Sequence, residues 1–243
     1  FLMVLLSSSI YASLIPTGYA TEPTAPEKGI SILSNVVDLD LSKYAVTTKV
    51  YPQNYNSSYL GVVSQTDVEY ELASGESKVK TLCAFANSRL QMIHILENDG
   101  SPHVSKTAAN PLELAKNFLS NYAAYTADSL YGELRATLDN VDASKNFTKT
   151  AGNIQLEVIV NNGYTTFKWT YTFDSIIASS KAVSLGFNNG FLTCFVDNWQ
   201  LYTIGSTSIN LSEKEAITIA LDAAKTHSWS LKLDADALEM KNF

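Results

Sequence analysis

The sequence predicts an α+β fold built of repeated units, each with one or two helices packed on an antiparallel β-meander sheet. Three observations carry this. A strictly alternating apolar run occupies residues 166–173, two Asn-Asn-Gly turns stand at 161–163 and 188–190, and helix-capping signatures occur at Thr24, Asn110, Asp128 and Ser212.

The strand signals are strongest in the second half. Ile154, Leu156, Val158 and Val160 fall on one face of a strand, and Asn161-Asn162-Gly163 then turns the chain. Glycine supplies the positive φ that a tight hairpin needs. Phe167, Trp169, Tyr171 and Phe173 point one way and Thr166, Lys168, Thr170 and Thr172 the other, which is the period of a half-buried strand. After a connection at 175–181, Val183, Leu185 and Phe187 lead to Asn188-Asn189-Gly190 and a last run at 191–204. A meander of four strands over 153–204 is the natural reading. The first half repeats this grammar at 46–51, 68–72, 79–85 and 90–96, with Ala73-Ser74-Gly75-Glu76 as a turn.

Helices separate these runs. Asn110 caps a helix with Pro111 at its first position and Glu113 at its third, and Leu114, Ala115, Phe118, Leu119 and Tyr122 form its apolar stripe. Asp128 opens a second helix carrying Leu130, Leu134 and Leu138. Ser212 and Glu215 form a capping box ahead of Ala216, Ile219, Ala220 and Ala223; Thr24 and Glu27 stand in the same relation ahead of Ile30, Leu33 and Val37. Aligning 83–93 with 194–204 matches Cys83 with Cys194, Asn87 with Asn198, Leu90 with Leu201 and Ile93 with Ile204. This implies a degenerate repeat. The expected organisation is a signal remnant at 1–20, a linker at 21–28, a first helix-plus-sheet unit at 29–109, a second at 110–208 and the start of a third at 209–243.

Residues 1–15 are an apolar run of signal-sequence length, and Gly18 and Ala20 are the small residues of a cleavage site. About 15 residues is too short for a bilayer core of ~30 Å, so export rather than anchoring is expected. The expectation is that the chain starts inside its gene product and that the helical pattern from Asp234 begins a further element. Asn-x-Ser/Thr triplets at Asn56, Asn146 and Asn210 are compatible with export.

Residues 211–224 resemble the opening helix of a PepSY-type module, and the aromatic segment ending at Asp197–Gly205 is similar to segments of uncharacterised exported archaeal proteins that carry such modules. The resemblance implies secreted or membrane-anchored, non-catalytic modules, some of them in pro-regions that restrain peptidases. It transfers no functional residues.

Several chemistries lack their residues. A net charge of −7 with no Lys/Arg cluster leaves nothing to hold a phosphate backbone, so no nucleic-acid partner is expected. His94, His103 and His227 are scattered, with no His-Glu-x-x-His and no Cys-x-x-Cys, so no metal or other cofactor is expected. Neither a Gly-x-Ser-x-Gly elbow nor a Gly-rich phosphate loop occurs. Asp38/Asp40, Asp139/Asp142 and Asp234/Asp236 lack the glycine and distal glutamate of a calcium loop and read as helix-end or loop carboxylates. His94 is expected on an apolar strand face with Leu90, Met92 and Leu96. Cys83, beside Val79 and Phe85, and Cys194, beside Leu192 and Val196, form either a disulfide or two buried thiols.

No catalytic residue is therefore assigned. The expected function is a non-catalytic exported or cell-surface module that binds or restrains a protein partner, which is another protein or a downstream domain of the same chain. Beyond the export signal no membrane contact is expected. The alternatives are the pro-region of a secreted hydrolase and a structural surface array. The candidate partner-binding aromatics are Phe167, Trp169, Tyr171, Trp199 and Tyr202, with core packing beneath a helix as the competing role for such a row.

Overall fold

The computed structural model describes residues 22–59, 62–105, 110–205 and 211–226. The signal segment, His227, Asn210 and the Asp234/Asp236 pair lie outside the described residues. The chain divides into two units, 1–202 and 203–243.

The first unit opens with α1 (Ala25–Asn35), followed by β1 (Ala45–Tyr59), β2 (Val62–Ala73), β3 (Lys78–Ala86) and β4 (Arg89–Asp99). Then come α2 (Pro111–Thr126) and α3 (Ser129–Ala136), followed by β5 (Phe147–Ala151), β6 (Ile154–Asn161), β7 (Tyr164–Phe173), β8 (Ile176–Asn188) and β9 (Phe191–Asp197). The nine strands of the described residues make one sheet, in the order β1-β2-β3-β4-β9-β8-β7-β6-β5. Every pairing is antiparallel, so the expected α+β class with meander sheets is the observed one. The two meanders join edge to edge through a short contact of β4 with β9: Met92 pairs with Val196, Ile93 with Phe195 and His94 with Cys194.

One apolar row crosses the whole sheet, through Val50, Val68, Cys83, Ile93, Phe195, Leu185, Phe167, Val158 and Phe147. Its interior members are fully buried, and α1, α2 and α3 contribute Ile32, Leu33, Phe118, Leu119, Tyr131 and Leu134 to the same core. The other face meets solvent. There Lys49 reaches Glu71 at 2.7 Å and Glu69 at 3.5 Å, and Lys80 reaches Glu69 at 2.8 Å.

The turns follow the sequence. Asn162-Gly163 and Asn189-Gly190 have φ values of 46°/83° and 48°/82°, the left-handed pair a two-residue hairpin requires. Asp174-Ser175, at 46° and 67°, makes a third such turn. The connection expected at 175–181 is therefore the first part of β8. Its residues 179–181 bulge out, since Thr170 pairs with Ala182 but Tyr171 with Ala178. The four strands expected over 153–204 are β6 to β9, and a fifth, β5, precedes them: it is short, largely exposed and without an apolar face, so it left no period-two signal.

The linker assigned to 21–28 is corrected at its far end. Thr24 and Glu27 form the capping box of α1, with the Thr24 N–H and Oγ1 each donating to Glu27 Oε2 at 2.8 Å. The helix therefore begins at Ala25, four residues before the expected unit boundary at 29.

The segments aligned as a repeat fall on different elements. Residues 83–93 span the β3–β4 hairpin, with Asn87 in its turn, whereas 194–204 run from β9 into a 3₁₀ turn (Trp199–Leu201).

Gly29 sets how closely α1 approaches the sheet. A Cβ there would lie 2.0 Å from the Tyr70 hydroxyl oxygen, and that hydroxyl is held by donating to the Pro26 carbonyl at 2.8 Å. Gly29→Ala must push α1 off β2, and we expect a loss of about 1–3 kcal/mol, as for overpacked cores, measured by urea denaturation. Unchanged stability would mean that α1 does not sit this close.

In the second unit, α4 (Glu213–Thr226) carries the expected capping box. The Ser212 N–H and Oγ donate to Glu215 Oε2 at 2.8 and 2.7 Å, and the Glu215 N–H donates to Ser212 Oγ at 3.4 Å. Its expected apolar stripe is open to solvent at Ala216, Ile219 and Ala220.

Candidate functional site

The aromatic candidates are, in the main, core. Phe167 and Trp169 are fully buried, and Trp199 nearly so, while Tyr171 and Tyr202 are half-buried. This corrects the reading of the row as a partner-binding surface. Phe167 lies in the apolar row beneath the helices and stacks with Trp169, ring centroids 6.2 Å apart. Trp169 Nε1–H donates to Thr137 Oγ1 at 2.7 Å, tying β7 to the residue that ends α3. Trp199 packs edge-on against Tyr171.

Two β-bulges overturn the assigned strand faces. Phe85 pairs with Leu90 and Ala84 with Met92, leaving Gln91 unmatched. The phase of β4 flips there, so Ile93 and Ile95 are buried and His94 is exposed, against the expected apolar setting. In β9, Phe187 pairs with Leu192 and Gly186 with Cys194, leaving Thr193 unmatched. Phe195 and Asp197 turn inward, and Cys194 and Val196 are only half-buried. Both thiols are free. Cys83 pairs with Ile93 in β4, and the next residue of β4, His94, pairs with Cys194. The cysteines thus lie two strands apart, about 9.5 Å at normal strand spacing, beyond the ~7 Å Cα separation a disulfide spans. Burial pushes the Cys83 thiol up to about 12, so it stays protonated.

The remaining candidates serve local structure. Asp40 accepts from the Ser42 hydroxyl, and Asp142 from the Ser144 N–H and hydroxyl at 3.1 and 2.6 Å. Those bonds hold both carboxyls below their ordinary value. His103 is in a loop, its ring against Tyr44 and its Nε2 3.2 Å from Ser74 Oγ. Among the described residues no group of three or more His, Cys, Asp or Glu side chains could hold a metal ion. No helix among them is long and apolar enough to cross a membrane.

A polar cluster, buried at Asp197 and Tyr131 and open to solvent at Arg89 and Gln200, is unannounced by the sequence and welds the junction of the two meanders. Asp197, at the end of β9, accepts from the Tyr131 hydroxyl at 2.5 Å and from the Trp199 N–H at 2.9 Å. Burial raises its carboxyl above the ordinary value, against the pull of those two donors and of Arg89. Arg89 Nη2 pairs with Asp128 Oδ2 at 3.2 Å, and the same oxygen accepts from Gln200 Nε2 at 3.2 Å. Gln91 Nε2 donates to Asn198 Oδ1 at 3.2 Å. Lys181, aimed inward by the β8 bulge, donates to the carbonyls of Trp199 and Tyr202 at 2.7 and 2.6 Å and sits over the Trp199 ring. The arrangement fixes β9 and the path of the chain beyond it. Asp197 and Lys181 are held by neutral donors and carbonyls, and Arg89 by the Asp128 carboxylate.

The site with room for something else lies at the other end of α2. A cleft of about 340 Å³ opens between the chain after α1, one flank of α2 and the tip of the β8–β9 hairpin. Val37, Leu39, Leu114, Phe118, Phe187 and Phe191 supply apolar walls. Leu114, Asn117, Phe118 and Asn121 come to it together because positions i, i+3, i+4 and i+7 share one helix face. Asn189 arrives through its place in the tight hairpin turn, at φ 48°. Asp38 is the one charged residue among the described residues of the lining. The cleft offers apolar area with a few neutral amides, the pattern of a small-ligand or peptide pocket.

No family model matches the chain, and no curated protein matches it. Among solved structures, the C-terminal domain of YpeB from Bacillus megaterium is similar, with a TM-score of 0.40 and 9% sequence identity over 80% of this chain and 74% of that one.

Proposed function

We propose that this protein is a non-catalytic module that works outside the cytoplasm by holding a polypeptide partner in the cleft beside α2. The observation that carries the reading is the composition of that cleft: apolar walls from Leu114, Phe118, Phe187 and Phe191, with Asn117, Asn121 and Asn189 at hand. An amide side chain both donates and accepts, so the three asparagines match the alternating N–H and C=O groups of an extended peptide, while the walls take its apolar side chains. A near-neutral lining favours an uncharged segment over a phosphate, a sugar acid or a basic tail. Export rests on the apolar run at 1–15 and the small residues at 18 and 20.

The experiment is titration of the purified protein with fluorescent, end-blocked peptides of alternating Leu/Ser, Val/Asn and Phe/Thr, read by anisotropy. We expect saturable binding by at least one of these. Leu114→Asp should weaken it by about tenfold or more, since a carboxylate in an apolar wall must be desolvated by the ligand. Equal binding by Leu114→Asp, or binding only of charged control peptides, would overturn the reading. So would turnover of a chromogenic peptide that is lost when a single Asp or Glu is replaced.

A further inference from the structure

The two edges of the sheet are finished differently. β5 is five residues long, Lys149 on it donates to the Asp139 carbonyl at 3.0 Å, and Asn146 before it accepts from the Val160 N–H at 2.8 Å. Short, charged, tied-down edges of this kind resist pairing with another chain. β1 runs for fifteen residues. Its core-side valines are bare: Val46 is 39% and Val50 45% exposed, although their cross-strand partners Leu72 and Val68 are buried. The apolar row that spans the sheet thus ends in partly buried Phe147 on one side and in open Val50 on the other.

Pro52 shows which backbone groups are free. Proline has no N–H and is accommodated in a strand where that position faces away from the neighbour. Pro52 is in regular register with Thr66, so it and the residues at even steps before it, Val50, Thr48 and Val46, turn their backbone groups outward. These outward positions are uncharged and symmetric about Thr48. A second β1 laid antiparallel across a two-fold axis at Thr48 sets Val46 against the other copy's Val50, and Thr48 against Thr48, all on the core side. Lys49 then faces Thr47 of the other copy, with its charge already taken up by Glu71 and Glu69 on its own sheet. Such a ladder supplies about six backbone hydrogen bonds and stops at Pro52.

We propose that β1 is a self-pairing edge through which two copies of this chain join their sheets antiparallel around Thr48. The stretch is self-complementary in shape, polarity and charge, which is the requirement for a two-fold interface. The pairing leaves the cleft beside α2 untouched.

Sedimentation velocity of the full chain across a concentration series tests this. The expected result is a reversible monomer–dimer equilibrium. Thr48→Pro removes the central outward N–H of each copy and should weaken association by about tenfold or more, with an unchanged far-ultraviolet spectrum. Val50→Lys, which keeps the backbone intact but sets a charge in each apolar pair, should do the same and serves if Thr48→Pro fails to fold. A wild-type chain that remains monomeric up to roughly millimolar concentration, far above useful affinities, would overturn the proposal. Dimers undiminished in both variants would overturn it as well, by placing the contact elsewhere.

Discussion

Trp169→Ala is expected to lower stability by about 3–5 kcal/mol, the range for removing a large buried aromatic. Trp169 has no solvent exposure and pairs across the sheet with Leu156 and Val183, both fully buried. Its removal empties the centre of the second meander. It also removes the indole N–H that donates to Thr137 Oγ1 at 2.7 Å, leaving that hydroxyl only its own bond to the Leu134 carbonyl at 2.6 Å. Trp169→Phe keeps most of the volume and loses the bond, so it should cost clearly less. Urea denaturation of the three proteins checks both parts. A loss below about 1 kcal/mol for the alanine variant would contradict the placement of this residue in the core, because surface truncations fall in that range.

Asp197 gives the second large effect, with a distinct pH signature. Asp197→Ala leaves the Tyr131 hydroxyl and the Trp199 N–H, both buried, without their acceptor, and each stranded donor costs about 1–3 kcal/mol. Asp197→Asn keeps an acceptor for Trp199 and should be nearly neutral at pH 7. The pH dependence follows from the raised carboxyl. Folding favours the protonated form, so near and below the ordinary aspartate value of about 3.9 the cost of burying the charge is absent. As pH rises from there through the folded-state value, the cost appears, and above that value it is complete. Wild type should therefore gain stability relative to Asp197→Asn as pH falls from 7 towards 4. The comparison is needed because carboxyls held low, such as Glu69 beside Lys80, act in the opposite direction in both proteins. Denaturation of the pair at several pH values checks this. A difference that is flat, or that grows in favour of the amide on acidification, would refute the assignment.

Much of the fold could be read from the sequence, for local reasons. Asn161-Asn162-Gly163 and Asn188-Asn189-Gly190 dictate tight hairpins, Asn110-Pro111 and Ser212–Glu215 dictate helix starts, and the stripe through Ala115, Phe118, Leu119 and Tyr122 is buried as its spacing requires. What escaped was phase. A bulge adds one residue with no compositional mark, and the bulges at Gln91 and Thr193 reversed the faces of His94, Cys194 and Phe195. Asp197 was hidden in the same way, since the unshifted alternation puts it with Phe195 on the wrong side of β9. The cleft was half legible. Asn117 and Asn121 share a helix face with Leu114 and Phe118, which the spacing states, but only the turn at Asn189-Gly190 brings Phe191 and Asn189 to meet them. Of the two roles open to the aromatic row, Phe167 and Trp169 take core packing beneath helices, a choice the sequence left open because strong alternation marks burial on one face without saying whether helices or a partner cover it.

The central claim is that the cleft beside α2 receives an uncharged peptide segment. Its most direct test is the two-dimensional ¹H–¹⁵N spectrum of the protein titrated with the best-binding neutral peptide from the anisotropy panel. The account predicts that the side-chain amide signals of Asn117, Asn121 and Asn189 shift together and saturably, with the backbone signals of Leu114 and Phe191, while those of His94 and Lys149 on the rest of the sheet stay put. Shifts confined to other surfaces, or none at these three asparagines at saturating peptide, would contradict it.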